Sequence, residues 1–508
     1  MNYLDFVEAT ERAFPDQVAV REGEKRWTYA ELLDDVRAAA NVLTTAGVEP
    51  GDAVLVMLPN TYQFVTATLG SLARQAVVVP MDTRFGRREV GALLDQVDPA
   101  AAVVSDAAGP VLAAAAETKE LAVFGEDDDE EGNDDGGGDG VDEATNQWSA
   151  ALAAADASYT IPETMGEREA VVLHTSGSTG VPKGAVHTHA NLIAISDAAA
   201  VSYEVRPGDV FLAAMPLYHC TGLGTILGPT LKVGGELLLE ESWEPERIRT
   251  AIAEHDVALF SGVPTMYRDW LSGPETQDVD TASMHTAVIG GADVTASLIR
   301  RSEELLGCPV LNGWGMTETF AGGLWENRHS ERRLPTVGGL GGRLFEAKIV
   351  DRGTGEECPP GEPGELLVRG EAMMTGYLAH DGEWAGEWFH TGDYARLDEG
   401  FVSILDRVDT TIVTAGENVS PREIEATIEE LSGVRDAVVV GKPDERKGEK
   451  PVAFVLRDGD AGLSEQVVKD HVLSELAAFK HPREVTFVDE FPRNSSGKVD
   501  RASLATRL

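Results

Sequence analysis

The sequence predicts an α/β protein: a large N-terminal domain of parallel, helix-covered sheets with a small β-rich subdomain, followed by a small α+β C-terminal domain. Two observations predict it. Up to about residue 335, apolar runs of strand length alternate with segments whose apolar residues recur at helical spacing, which is the order of parallel strands joined by covering helices. Beyond Pro335 the runs shorten, and Gly and Pro turns separate them.

Taken in order, Thr28 and Glu31 stand at capping-box spacing, and Leu32, Leu33, Val36, Ala40 and Leu43 recur on one helical face until Gly47. A strand over 53–58 follows, then a Pro59-Asn60 turn, a helix through Phe64, Leu69 and Leu72, and a strand over 76–79. The alternation returns with strands over 210–215, 236–239, 258–260 and 285–289. The β-rich part supplies strands over 347–350, 364–369 and 401–405. After Asp409 the pattern gives helices over 422–431 and 465–476 and strands near 437–440 and 452–456, so the domains are placed at 1–408 and 409–508. The run EDDDEEGNDDGGGDGVDE, residues 126–143, has almost nothing apolar to bury and is expected to be a disordered surface loop.

Composition narrows the partners. The 508 residues, 43% hydrophobic and 25% charged, are those of a folded chain with substantial cores. No window reaches the ~18 consecutive apolar residues of a membrane span, and the opening MNYLDFVEATERAF lacks the basic-then-apolar order of a signal peptide. A cytoplasmic location is expected. Cys220, Cys308 and Cys358 have no paired spacing, which argues against a zinc knuckle or a disulfide framework. A net charge of -44 repels nucleic acid and anionic membranes, so neither is an expected partner. Such a charge also opposes folding unless salt screens it, and a halophilic surface accounts for it.

The chemistry centres on residues 173–189, LHTSGSTGVPKGAVHTH. Strand, then Gly-rich loop, then helix aims backbone N–H groups at a phosphate, and Lys183 adds a positive charge. The stretch is not a Walker A loop, because Pro182 precedes Lys183 and Gly184 follows it. By itself it is equally a turn of small residues, with His187 and His189 at the start of the following helix and no catalytic role. Cys220 beside His219 reads as a small buried hydrophobe rather than a nucleophile.

Other stretches give the loop its context. PLYHCTGL covers 216–223, GGAD 290–293, NGWGMTET 312–319, HTGDYARLDEG 390–400, DRVDTTIVTAGENVSPREIE 406–425 and PRNSSGKVDR 492–501. In this order, over nearly the whole chain, they resemble the adenylate-forming superfamily of acyl-CoA synthetases, luciferases and nonribosomal peptide adenylation domains. The wording is most similar to AMP-forming fatty-acyl-CoA ligases.

The resemblance implies that a carboxylic acid is activated by ATP, with Mg²⁺, to an acyl-adenylate and then passed to CoA. Thr175, Ser176, Gly177, Ser178, Thr179, Gly180 and Lys183 would hold the pyrophosphate; Thr317 would touch the α-phosphate and Glu318 would hold Mg²⁺. Gly290, Gly291, Ala292, Trp314 and Gly315 would lie at the adenine, and Asp393 and Arg407 at the ribose, while Arg407 alone could equally be a surface ion pair. His219 would lie near the acyl carboxylate, unless it is a core histidine. Lys498, by itself a solvated surface lysine, would bridge carboxylate and α-phosphate from a C-terminal domain made mobile by a hinge at Asp409. Ala415 and Gly416 would line the CoA tunnel. Four positions depart from the pattern: Trp314 stands for a usual Tyr, Asp406 for a Gly, Thr410 for an Asp and Ala415 for a Gly. A free-standing ligase of medium- or long-chain fatty acids is expected, with aryl acids, succinylbenzoate or loading of a carrier protein as alternatives. The oligomeric state is left open.

Overall fold

The computed structural model describes residues 2–116, 121–125, 146–163, 166–175, 183–272, 279–292, 294–329, 331–338, 344–378, 382, 384–407, 412–414, 417–419, 421–444, 448–457, 462–476, 480–493 and 499–507. The chain forms two compact units. The first comprises Met1–Arg332, Gly342–Phe345 and Gly370–Gly382; the second comprises Arg333–Gly341, Glu346–Arg369 and Glu383–Leu508. The acidic run 126–143 and the expected boundary at Asp409 lie outside the described residues.

The first unit holds two eight-stranded sheets. One runs Gly323–Trp325, Val310–Gly315, Thr286–Gly290, Val257–Gly262, Val210–Ala213, Glu236–Leu239, Val18–Glu22, Lys25–Thr28. The other runs Gly376–Tyr377, Gly184–Thr188, Glu169–His174, Val77–Pro80, Ala53–Met57, Ala101–Val104, Ala122–Gly125, Asn146–Gln147. Both are parallel inside, as the alternation predicts. Their edges depart from that order, with antiparallel pairs at Lys25–Thr28, at Gly323–Trp325 and along Gly376–Tyr377, Gly184–Thr188 and Glu169–His174.

The local signals act where they stand in the sequence. Thr28 accepts from Glu31 N while the Glu31 carboxylate accepts from Thr28 N at 2.8 Å, and the helix Tyr29–Thr45 buries Leu32, Leu33, Val36, Ala40 and Leu43. The next helix, Tyr62–Ala73, is capped by Thr61 and packs so closely that a Cβ on Gly70 would lie 2.3 Å from that of Ala39. Asn60, just before it, joins the two sheets. Its amide nitrogen donates to the carbonyls of Ala213 at 2.9 Å, Met215 at 2.9 Å and Glu240 at 3.0 Å, and its oxygen accepts from Leu217 N at 2.8 Å. The four partners sit at or just beyond strand ends of the opposite sheet or in the turn that follows, so this one buried side chain helps place the 216–223 segment.

The second unit carries an antiparallel sheet built from Pro363–Gly370, Trp388–Asp398, Phe401–Arg407 and shorter strands. A further five-stranded sheet consists of Glu417–Val419, Ile412–Thr414, Gly448–Arg457, Val434–Asp444 and Glu484–Val488. Alternation along Val434–Asp444 sends Ala437 and Val439 to one face, against Ile424, Ile428, Val468 and Val472 of the helices Pro421–Glu429 and Glu465–Glu475. Val438 and Val440 go to the other face, with Phe454, Phe491 and Leu504. Both helices were expected from the sequence.

Candidate active site

Sequence reasoning placed a helix directly after the Gly-rich loop, but a strand, Gly184–Thr188, intervenes before the helix His189–Tyr203. The loop therefore joins two antiparallel neighbours, with Leu173 opposite Ala185 and His174 opposite Gly184. Thr175 N donates to Lys183 O at 2.9 Å and Lys183 N to Thr175 Oγ1 at 3.3 Å, closing its base. Any phosphate cradle here is made by a strand-to-strand loop and not by a helix N-terminus. Ser176, Gly177, Ser178, Thr179 and Gly180 lie outside the described residues. His187 falls in the strand, while His189 does begin the helix, capped by the Thr188–Asn191 box.

That strand gathers three of the expected residues. Gly376–Tyr377 pairs with Val186 and Ala185, extended by Thr375 N to Val186 O at 2.9 Å and Leu378 N to Gly184 O at 2.9 Å. The pairing puts the Tyr377 hydroxyl on Glu318 Oε1 at 2.5 Å and the Tyr377 ring 5.3 Å from Lys183 Nζ. Met374 N donates to the Glu318 carbonyl at 2.8 Å, and His187 Nε2 lies 2.8 Å from the Thr317 carbonyl. Lys183 and the adjacent pair Thr317 and Glu318, more than a hundred residues away in sequence, thus meet around one strand. Burial pushes the His187 pKa down to about 3, so its ring is neutral.

Sequence reasoning missed Tyr377. Its only local signal is the TGY triplet, and its partners come from two other segments.

Thr317–Thr319 forms a single 3₁₀ turn, not the start of an α-helix. Phe320 and Ala321 follow with φ of 54° and 60°, and the chain reverses into Gly323–Trp325. Left-handed backbone at a bulky residue is unfavourable and marks a constrained turn. Upstream, Gly290 lies opposite Gly313 at the carboxyl ends of parallel strands, where ligands of open α/β sheets bind. A Cβ on Gly290 would meet Gly313 O at 2.5 Å, and Gly291 has φ +75°, so both positions call for glycine. Gly291 and Ala292 are exposed there, and Gly315 is half-buried. The Trp314 ring lies over Gly323, where a Cβ would be 2.7 Å away.

His219 sits in the turn placed by Asn60. Its N–H donates to Pro216 O at 3.2 Å, and its carbonyl accepts from Leu223 N at 3.0 Å, leading into the π-helical turn Thr221–Leu227. It is half-buried, its ring 4.9 Å from that of Tyr218. Asp82 is nearby: burial works against its charge, but hydrogen bonds from Arg84 and the Arg84 charge hold its carboxyl below the usual range. Cys220, expected to be buried, is half-buried.

In the second unit Asp393 and Arg407 lie opposite each other on adjacent strands. Arg407 Nη1 donates to Asp393 Oδ1 at 3.2 Å and to Thr391 O at 3.0 Å, and Asp393 N donates to Thr391 Oγ1 at 3.0 Å. The two residues expected at the ribose are thus neighbours on adjacent strands. The Asp406 carboxylate turns back to accept from Arg407 N at 2.7 Å. Lys498, Asp409, Thr410, Ala415 and Gly416 lie outside the described residues. The segment carrying Lys498 is bounded by an antiparallel bridge between Arg493 and Val499 and by Asp500 N donating to Pro492 O at 2.8 Å.

Against known proteins, residues 7–378 match the AMP-binding enzyme family and residues 423–498 match the AMP-binding enzyme C-terminal domain. The chain belongs to the AMP-binding enzyme family. Members similar to it include the 3-[(3aS,4S,7aS)-7a-methyl-1,5-dioxo-octahydro-1H-inden-4-yl]propanoyl:CoA ligase of Mycobacterium tuberculosis, 34% identical, covering 97% of this chain and 96% of the relative. The long-chain-fatty-acid–CoA ligase of Bacillus subtilis is 29% identical over 97% of this chain and 92% of its own. Among solved structures, ATP-bound MatB from Rhodopseudomonas palustris superposes with a TM-score of 0.89 at 28% identity, covering 100% of this chain and 99% of that one. The adenylate-forming resemblance, the fold class and the ligase class expected from the sequence are borne out. Among the described residues, no helix is long and apolar enough to cross a membrane.

Proposed function

We propose that this member of the AMP-binding enzyme family is an AMP-forming acyl-CoA ligase whose acid is a medium- or long-chain fatty acid. The observation that carries the reading is the meeting of Lys183, Thr317 and Glu318 around the strand Gly184–Thr188, with Glu318 held by Tyr377. In the first step a carboxylate oxygen attacks the α-phosphorus of ATP, and the α–β anhydride bond breaks to release pyrophosphate. In the second the CoA sulfur attacks the acyl carbon, its proton passes to solvent, and the bond to AMP breaks.

An anionic nucleophile approaching a polyanion is opposed by charge, so fixed donors and cations lower the barrier. Lys183 and the 175–180 loop would hold the departing pyrophosphate and Thr317 the α-phosphate. Gly290, Gly291, Ala292, Trp314 and Gly315 would border the adenine, and Asp393 would accept the ribose hydroxyls, with Arg407 shared between ribose and phosphate. His219 would face the acyl carboxylate.

Glu318 fits magnesium brought in with ATP: it is a single carboxylate, and among the described residues no group of three or more His, Cys, Asp or Glu could hold a metal alone. The ion would neutralise phosphate charge. Lys498 would bridge carboxylate and α-phosphate in the first step, then leave as the 409–508 domain turns about Asp409 and CoA enters past Ala415 and Gly416.

We place the enzyme in the cytoplasm, with a surface suited to high salt. A second reading, a ring-bearing acid, is favoured by the bicyclic acid for which the M. tuberculosis relative is named. The test is AMP release from ATP with a panel of fatty, aryl and polycyclic acids at high KCl. Release that needs both acid and CoA supports the ligase. Pyrophosphate exchange without thioester points instead to carrier-protein loading, and no acid-dependent AMP overturns both.

A further inference from the structure

We infer that His187 is a positioning residue of the adenylation step: its Nε2–H holds the Thr317 carbonyl and fixes the Thr317–Glu318 turn to the strand that carries Lys183. The inference rests on the ligase reading above, in which no step uses this histidine.

His187 is fully buried in the middle of Gly184–Thr188, opposite Val171 of the neighbouring strand. Its ring meets Phe320 edge-on, with centroids 4.7 Å apart. A carbonyl oxygen can only accept, so the 2.8 Å contact to Thr317 assigns the proton to Nε2 and leaves Nδ1 with a bare lone pair. That Nδ1 has no hydrogen-bond partner among the described residues. An apolar side chain would fill the same space without burying an unsatisfied atom, and so the bond to Thr317 is what the imidazole contributes.

The bond falls where the turn needs an outside hold. Within the turn, the Thr317 carbonyl already accepts from Phe320 N at 3.0 Å, and the two residues that follow are left-handed. His187 supplies the second donor to that oxygen from the opposite strand. Met374 N and the Tyr377 hydroxyl hold Glu318 from the other side, and both belong to the segment paired along Val186 and Ala185. The group expected at the leaving phosphates and the groups expected at the α-phosphate must grip one nucleotide in a single geometry. Sub-ångström errors in such positioning are costly. His187 is the side chain that ties them together from the loop's own strand.

The test compares His187→Met, similar in size without an N–H, with His187→Gln, whose amide nitrogen is as many bonds from the backbone as the imidazole Nε2. Acid-dependent pyrophosphate exchange is expected to fall about tenfold in His187→Met, the size of one lost hydrogen bond. Thioester formation from preformed acyl-adenylate is expected to stay within about twofold, because a positioning defect at the phosphates spares the second step. His187→Gln is expected to recover most of the exchange. Should His187→Met fail to fold, His187→Asn, whose amide stops one bond short, is expected to show the same selective loss.

Equal losses in both half-reactions, no loss without the N–H, or a Gln variant as poor as Met would overturn the inference. If the wild type exchanges pyrophosphate with no acid, the ligase reading falls, and Mg-ATP affinity judges the histidine separately. Weaker binding in Met restored by Gln supports the positioning role, and equal affinities overturn it.

Discussion

The Tyr377 hydroxyl donates to the Glu318 carboxylate at 2.5 Å, joining a two-residue edge strand to the turn expected to hold the α-phosphate. Hydrogen bonds to charged groups contribute about 1.5–3 kcal/mol, so Tyr377→Phe is expected to slow pyrophosphate exchange by roughly ten- to a hundredfold. The ring stays in place, and the melting midpoint should fall by no more than about a few degrees per kcal/mol lost. Exchange at the wild-type rate would mean that the hydroxyl does not orient Glu318.

Lys498, proposed above to act only in the first step, is expected to separate the two half-reactions. Lys498→Ala is expected to lose at least about a hundredfold in adenylation, the usual scale for removing transition-state charge stabilisation, while preformed acyl-adenylate is still consumed with CoA. Single-turnover assays of each half-reaction check this. Parallel loss of both would reject a swinging domain.

Acid lowers stability through buried histidines. His187 and His189 are fully buried, and burial depresses their values to about 3 and about 4. Between those values and the ordinary 6.5 of the unfolded chain, the unfolded state binds more protons, so stability is full above about pH 6.5 and falls as pH drops toward 4. Each histidine contributes a slope of up to about 1.4 kcal/mol per pH unit in that window. Urea unfolding across the window should show a shallower slope in a His187→Gln, His189→Gln double variant than in the wild type.

The surface charge predicts a salt response. With 86 acidic against 42 basic residues, self-repulsion opposes the compact state, and raising KCl from about 0.1 to 1 M shortens the Debye length from ~10 to ~3 Å. The melting midpoint is expected to rise with KCl. A flat or falling midpoint would remove the halophilic reading.

What could be read from the chain alone was whatever is written locally. The Thr28–Glu31 box, the apolar face of Tyr29–Thr45 and the helices Pro421–Glu429 and Glu465–Glu475 are set by neighbours in sequence, and they form where their residues direct. Gly184–Thr188 was missed because it is buried throughout and shows no period-two pattern, so a Gly-rich loop seemed to run straight into a helix. Tyr377, the His187–Thr317 bond and the Asn60 contacts were invisible for a different reason: each joins segments more than a hundred residues apart, or held by a strand too short to leave a signature. The roles of Thr317, Glu318, Asp393 and Arg407 came from family resemblance. The structure adds which of them are neighbours.

Asn60 has a mechanical consequence. A single amide riveted to backbone on the facing sheet leaves no slack between the two layers. A shift of one sheet would be passed to the His219 turn through this amide. Truncating that amide to Ala would strand the carbonyls of Ala213, Met215 and Glu240 and the Leu217 N–H, and would uncouple the 216–223 turn from the sheet that carries Asn60.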